Sequence, residues 1–174
     1  MGSHSRTPVH RMAGQEPAEQ AFFAEHGHTA APLLVQWMAT LRCPLHCGHC
    51  LAAGDGAAPP DMPLATALSL VDQAADMGVG EFLVTGGEPL CHPDLGPVLQ
   101  RLGERGLPWS LNTAVLPRGP VRRAIEAHPP QFVAVSLDGP KPIHDAFRGR
   151  EGSFEEAREA IAFFRRLRGC QVAA

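Results

Sequence analysis

The sequence predicts an α/β fold: parallel βαβ units forming all or part of a (β/α) barrel, ending at the start of a fifth strand after about four units. Three observations carry that prediction. Short apolar runs alternate four times with helix-periodic segments, and "CQVAA" then opens a further run at the end of the 174 residues. Parallel strands joined by helices take right-handed crossovers. The chemically unusual stretches, "RCPLHCGHC", "TGGEP", "LNT" and "SLDGP", each follow an apolar run, so all would gather on the rim at the C-terminal ends of the strands.

Each element has its own signal. Residues 1–30 are polar and lack sustained periodicity, so they read as a flexible leader with one short helix around "AEQAFFAEHG", ahead of a core at 31–174. "LLVQWMATL" (33–41) is a continuous apolar run, the mark of a strand buried on both faces. "PLATALSLVDQAADMG" (63–78) places Pro63 at the first helical position, Leu64, Leu68, Val71 and Ala75 on one face, and Gly78 at the C-terminal stop. "GEFLVTGG" (80–87) is strand-like. In "HPDLGPVLQRLGERG" (92–106), Leu95, Val98, Leu99 and Leu102 recur at helical spacing. "LPWSLNTAVL" (107–116) is the third strand, "RGPVRRAIEAH" (118–128) a helix stopped by Pro129 and Pro130, and "QFVAVSLDG" (131–139) the fourth strand. "GSFEEAREAIAFFRRLRG" (152–169) carries a Ser153/Glu156 capping box and a stripe of Phe154, Ala157, Ile161 and Phe164.

Composition narrows the function. Hydrophobic residues make up 44% and charged residues 19%, an ordinary globular mix for one domain. The net charge of −3 gives no reason to expect a nucleic-acid partner, and basic runs such as "FRRLRG" read as solvated helix face. No apolar run approaches the roughly 18–20 residues of a membrane span, and the N-terminus has no signal-like apolar stretch.

Five cysteines, three of them in one loop, read as intracellular metal chemistry and a cytoplasmic setting rather than a disulfide framework. Cys43, Cys47 and Cys50 stand in C-x3-C-x2-C spacing with His46 and His49 between them. A structural zinc site needs four closed ligands, usually as two separated pairs; no second pair exists here, and a Cys3His set completed by His46 or His49 would pack four ligands awkwardly into eight residues. An iron–sulfur cube normally takes four thiolates, so three leave one iron open to a ligand. Cys91 and Cys170 read as small buried hydrophobes, and Trp37 and Trp109 as packing residues.

With that loop after the first strand, the sequence resembles the radical S-adenosylmethionine (AdoMet) superfamily, whose loop reads CxxxCxΦC with Φ commonly aromatic. The resemblance covers residues 32–174 and implies a partial (β/α) barrel of the radical AdoMet type. It also implies that Cys43, Cys47 and Cys50, the catalytic and metal-binding residues, ligate three irons of a [4Fe–4S] cluster. The fourth iron would chelate the amino and carboxylate groups of AdoMet. Reductive cleavage would then give a 5′-deoxyadenosyl radical that abstracts hydrogen from substrate.

His49, at the Φ position, would lie against the adenine. Gly86, Gly87, Glu88 and Pro89 match the family's GGEP, where the glycines admit close approach of a ligand and Glu88 joins backbone carbonyls on the methionine ammonium. Asn112 in "SLNTA" stands where the family places polar residues near AdoMet, often as Thr-Asn-Gly. Ser136 and Asp138 in "VSLDGP" match the end of strand four. "HDAFRG" (144–149) resembles a loop of the peptide- and protein-modifying branch, in which Arg148 would offer its fork to the AdoMet carboxylate.

That branch often carries a C-terminal auxiliary-cluster (SPASM/twitch) domain, and only the N-terminal part of the core is matched. The resemblance therefore implies that a missing C-terminal portion or a partner chain is needed, with flavodoxin or ferredoxin as electron donor. The substrate expected is a peptide or protein side chain, as in ribosomal peptide maturation. Two alternatives stand beside it: a small molecule such as a tetrapyrrole, cofactor precursor or sugar, and a catalytically silent cluster-binding module.

Overall fold

Runs rich in β-branched, aromatic and leucine side chains form five short strands: β1 (Leu34–Met38), β2 (Glu81–Thr85), β3 (Trp109–Thr113), β4 (Phe132–Val135) and β5 (Gln171–Ala173). They are seen in a computed structural model that describes residues 32–50 and 59–174. The expected leader and its short helix lie outside the described residues. All strands are parallel, in the order β1-β2-β3-β4-β5, so each lies beside its predecessor. Crossovers of one hand with no reversal of strand order put the helices on one face and leave the other face concave, the progression of a barrel rather than a doubly wound sheet.

The helices are α1 (Leu64–Asp76), α2 (Leu95–Glu104), α3 (Gly119–Ala127), α4 (Lys141–Arg148) and α5 (Ser153–Phe164). Their apolar stripes cover Trp37, Phe82, Val84, Trp109, Leu111, Val133 and Val135, the outward residues of the sheet. In α2 all four expected residues, Leu95, Val98, Leu99 and Leu102, are buried. Each fully buried Leu or Phe of this layer contributes about 1.5–3 kcal/mol over exposure. In α1 the stripe runs through Ala67, Val71 and Ala74, with Leu64, Leu68 and Ala75 packed partly buried at its flanks. Pro63 sits just before α1 as its cap, and Gly78, at φ +72°, takes the left-handed turn that stops it. Cys170 packs partly buried against this core as expected.

Three expectations need correction. β1 is not buried on both faces: Trp37 is covered, while Leu34 and Met38 are 47% and 55% exposed. As an edge strand its inward side meets no second layer among the described residues, which an apolar run alone does not reveal. "HDAFRG" is not a loop but the last turns of α4, which begins after Pro140 with Pro142 in its first turn and ends at Gly149, φ +65°.

The Ser153/Glu156 capping box does not form either. Gly152 precedes α5 at φ +81°, and Ser153 already lies inside the helix. The cap comes from Asp145 of α4, whose carboxylate accepts from the Phe154 N–H at 2.8 Å, the Ser153 hydroxyl at 2.9 Å and the Gly152 N–H at 3.0 Å. Led by the Phe154 bond, these hold the Asp145 carboxyl down at about 2. Glu156 instead pairs with Arg118 and Arg150.

Candidate functional site

The ends of β1 and β2 are joined by backbone. The Ala39 N–H donates to the Thr85 carbonyl at 2.8 Å, Gly87 N–H to Thr40 at 2.7 Å and Glu88 N–H to Arg42 at 2.8 Å. A side chain would break this seam: a Cβ on Gly86, at φ +144°, would stand 2.3 Å from the Thr40 oxygen, and one on Gly87 2.7 Å from the Leu41 and Arg42 oxygens. The close approach that these glycines permit is thus to the chain entering the cysteine loop. On its other side the loop is clasped by the end of α4, where His46 N–H donates to the Arg148 carbonyl at 3.1 Å. Gly149 lies under it, and its Cβ would fall 2.5 Å from the His46 oxygen.

The Glu88 carboxylate is engaged within the fold. One oxygen accepts from the Thr113 hydroxyl at 2.8 Å and Leu90 N–H at 3.1 Å, the other from Ala114 N–H at 2.8 Å. The group ties the turn after β2 to the end of β3, and burial outweighs those bonds to push its carboxyl up to about 7. Pro89 is buried and opens the short 3₁₀ turn Pro89–Cys91. Cys91, the last residue of that turn, is exposed rather than buried.

Arg148 is also engaged. Its Nε and Nη2 edge grips Asp138 in a bidentate pair at 2.6 and 2.9 Å, while Nη1, on the opposite side, points at the Cys47 sulfur at 3.8 Å. Behind the pair, the Asp138 N–H donates to Nδ1 of the buried His144 at 3.2 Å. The fork expected to be open to a carboxylate is therefore filled by Asp138. His49 stacks on Phe147 of α4, ring centroids 4.0 Å apart and 13° from parallel. His46 contributes its backbone to the clasp.

The structure brings Cys43, Cys47, Cys50, His49, Gly86, Gly87, Glu88, Asn112, Ser136 and Arg148 to one cavity of about 380 Å³. Pro89 and Asp138 are not among the residues lining it, though Asp138 holds the lining Arg148. A larger hollow of about 610 Å³ continues down the concave face of the sheet past Leu83, Ser110 and Phe132, and Asn112 borders both. The three loop cysteines are free thiols, and burial pushes the Cys43 thiol up.

No three His, Cys, Asp or Glu among the described residues converge on one ion position. A tetrahedral ion with bonds of about 2.3 Å needs such convergence, whereas a cube holds each thiolate on its own iron, farther apart. Three thiols around a cavity with polar strand ends facing them fit a cluster with an open iron. Asp145, Thr113 and Phe147 support the site without being singled out by the sequence, although Thr113 lies inside "SLNTA" and Asp145 and Phe147 inside "HDAFRG".

The profile described as the Radical SAM superfamily matches residues 37–170. The AdoMet-dependent heme synthase of Methanosarcina barkeri (strain Fusaro / DSM 804) is 32% identical over 141 residues, covering 79% of this chain and 40% of that protein. The PqqA peptide cyclase of Ruegeria pomeroyi (strain ATCC 700808 / DSM 15171 / DSS-3) is 33% identical over 144 residues, covering 80% of this chain and 38% of that one. In fold, the chain is similar to Streptococcus suis SuiB bound to S-adenosylmethionine, with a TM-score of 0.72 at 20% identity over 91% of this chain and 37% of SuiB. The chain spans about two fifths or less of the length of these relatives.

Proposed function

Because the chain belongs to the radical SAM superfamily, we propose that it is the N-terminal catalytic portion of an enzyme that cleaves AdoMet reductively and acts on a peptide or protein side chain. The observation that carries this reading is the single cavity at which three free thiols meet Gly86, Gly87, Asn112 and Ser136 from three other strand ends. Radical SAM proteins use a [4Fe–4S] cluster and AdoMet, and when bound these supply an electron and a 5′-deoxyadenosyl radical that takes hydrogen from substrate.

In this chain Cys43, Cys47 and Cys50 would hold the cluster. The backbone at Gly86 and Gly87 and the polar groups of Asn112 and Ser136 would bind and orient AdoMet. His49, backed by Phe147, presents a flat ring to an adenine. Glu88 acts from inside, fixing the ends of β2 and β3 so that the glycine turn cannot drift. The hollow beyond Asn112 gives a substrate room to reach the same cavity.

The peptide assignment is supported by the "SLDGPKPIHDAFRG" block and by similarity to a peptide cyclase over 80% of the chain. A second reading, an iron-tetrapyrrole substrate, is favoured by the 32% identity to a heme synthase.

The test is anaerobic. The chain is reconstituted with iron and sulfide, reduced with dithionite, given AdoMet and assayed for 5′-deoxyadenosine. Cluster loading with 5′-deoxyadenosine release is the expected result, and Cys47→Ala abolishes the loading. A stable cluster without cleavage makes the chain a silent binding module. Colourless protein holding stoichiometric zinc overturns the cluster reading altogether. Stimulation of cleavage by a cysteine-containing peptide, but not by an iron porphyrin, separates the two substrate readings.

A further inference from the structure

Arg148 presents its two sides to two different groups. The Nε/Nη2 edge is saturated by Asp138, and the remaining nitrogen, Nη1, has the Cys47 sulfur in range at 3.8 Å. Three features make that aim a fixed one. The Arg148 side chain is 13% exposed and that of Asp138 23%, so solvent screens the pair only partly. The Arg148 carbonyl is itself bonded to the cysteine loop through His46 N–H at 3.1 Å, which sets the distance between backbone and loop. Asp138 is in turn held by its N–H on buried His144. A guanidinium keeps its charge at any working pH, so nothing at this contact depends on a proton.

We propose that Arg148, steered by Asp138, is a positioning residue that donates a charge-assisted hydrogen bond to the Cys47 sulfur and so raises the reduction potential of the cluster this cysteine holds. The inference rests on the cluster reading above. Its physical basis is general: a donor and a positive charge beside a ligating sulfur stabilise the reduced state, which carries one more negative charge. Cys47 also reaches the Arg148 carbonyl at 3.9 Å as a thiol, a contact that ends once the sulfur ligates iron, leaving Nη1 as its partner from α4. The step concerned is the addition of one electron from an external low-potential reductant. No bond forms or breaks at Arg148, and its protons stay in place. Asp138 sits on the far edge of the guanidinium from Cys47, so it fixes the aim while offsetting part of the charge.

The measurement is a redox titration of the reconstituted chain without AdoMet, followed by electron paramagnetic resonance of the reduced cluster. Arg148→Gln is expected to lower the equilibrium constant for reduction about tenfold, a shift of ~59 mV to lower potential for one electron. Arg148→Lys, which keeps the charge but not the fork, should recover part of that shift. Asp138→Asn removes the offsetting charge while keeping an acceptor oxygen, and should shift the potential the other way.

Loaded variants with unmoved potentials overturn the inference alone. So does an Asp138→Asn shift in the same direction as Arg148→Gln. If the wild-type chain loads and none of the variants does, the contact is structural and the inference falls. If the wild-type chain takes up no cluster, the functional reading falls and the inference with it.

Discussion

The two faces of the one sheet follow different rules. Outward residues Phe82, Val84, Leu111, Val133 and Val135 are buried under the helices, all of them apolar. Their immediate chain neighbours point inward and are mixed: Glu81, Leu83, Ser110, Asn112, Phe132 and Ala134, several of them lining the open hollow. The period of two puts both kinds of residue on every strand, so stability and chemistry are sorted by side rather than by segment. Burying the outer face stabilises the fold, while among the described residues the inner face and the rim line hollows.

Substituting the same residue type on the two faces gives the largest contrast. Phe82→Ala, on the covered face, should cost about 3–5 kcal/mol, whereas Phe132→Ala, 37% exposed on the inner face, should cost about 1 kcal/mol or less. Urea unfolding followed by circular dichroism measures both, and equal losses would mean that the inner face is covered in solution. At the rim, Gly86→Ala forces a Cβ into the Thr40 oxygen at a backbone angle that disfavours side chains, and about 3 kcal/mol should go.

Glu88→Gln comes next, at about 1–3 kcal/mol. Both oxygens of Glu88 face donors, so an amide NH2 must oppose one of them. The smallest effect appears in the pH dependence. The Glu88 carboxyl is raised to about 7, so its contribution is fully present below its unfolded value of 4.5 and lost as pH rises through 7. The Asp145 carboxyl is lowered to about 2, so its contribution is present above 3.8 and lost as pH falls through 2. The pH dependence of the denaturation midpoint should flatten between pH 4.5 and about 7 in Glu88→Gln, and between pH 3.8 and about 2 in Asp145→Asn.

Much of this was legible in the sequence because it is local. The spacing of Leu95, Val98, Leu99 and Leu102 named the buried face of α2 without reference to any other element. The cysteine spacing and the Gly-Gly turn likewise marked the rim. What the sequence hid depends on partners distant along the chain. Ser153 and Glu156 have capping-box spacing, yet the cap is Asp145, eight residues before Ser153 and on another helix. Glu88 reads as a ligand-binding carboxylate, and nothing local in the sequence shows that Thr113 and Ala114 donate to it. Arg148 had the right fork and a closer claimant in Asp138. In each case a general rule about a residue type was right about the chemistry but silent about the donor or acceptor that the fold itself supplies.

The clasp between the cysteine loop and α4 has a consequence for the order of assembly. Cys47 and Arg148 are 101 residues apart in sequence, whereas the strand pairings join consecutive βα units across far shorter stretches. Each doubling of loop length adds about 0.6 kcal/mol of closure entropy, and contacts of long separation are slow to form. The sheet from β1 to β4 can therefore grow stepwise, unit by unit, while the cysteine loop waits for α4 to arrive. The clasp can close only after α4 has been made, so during synthesis the thiols are made early and housed late.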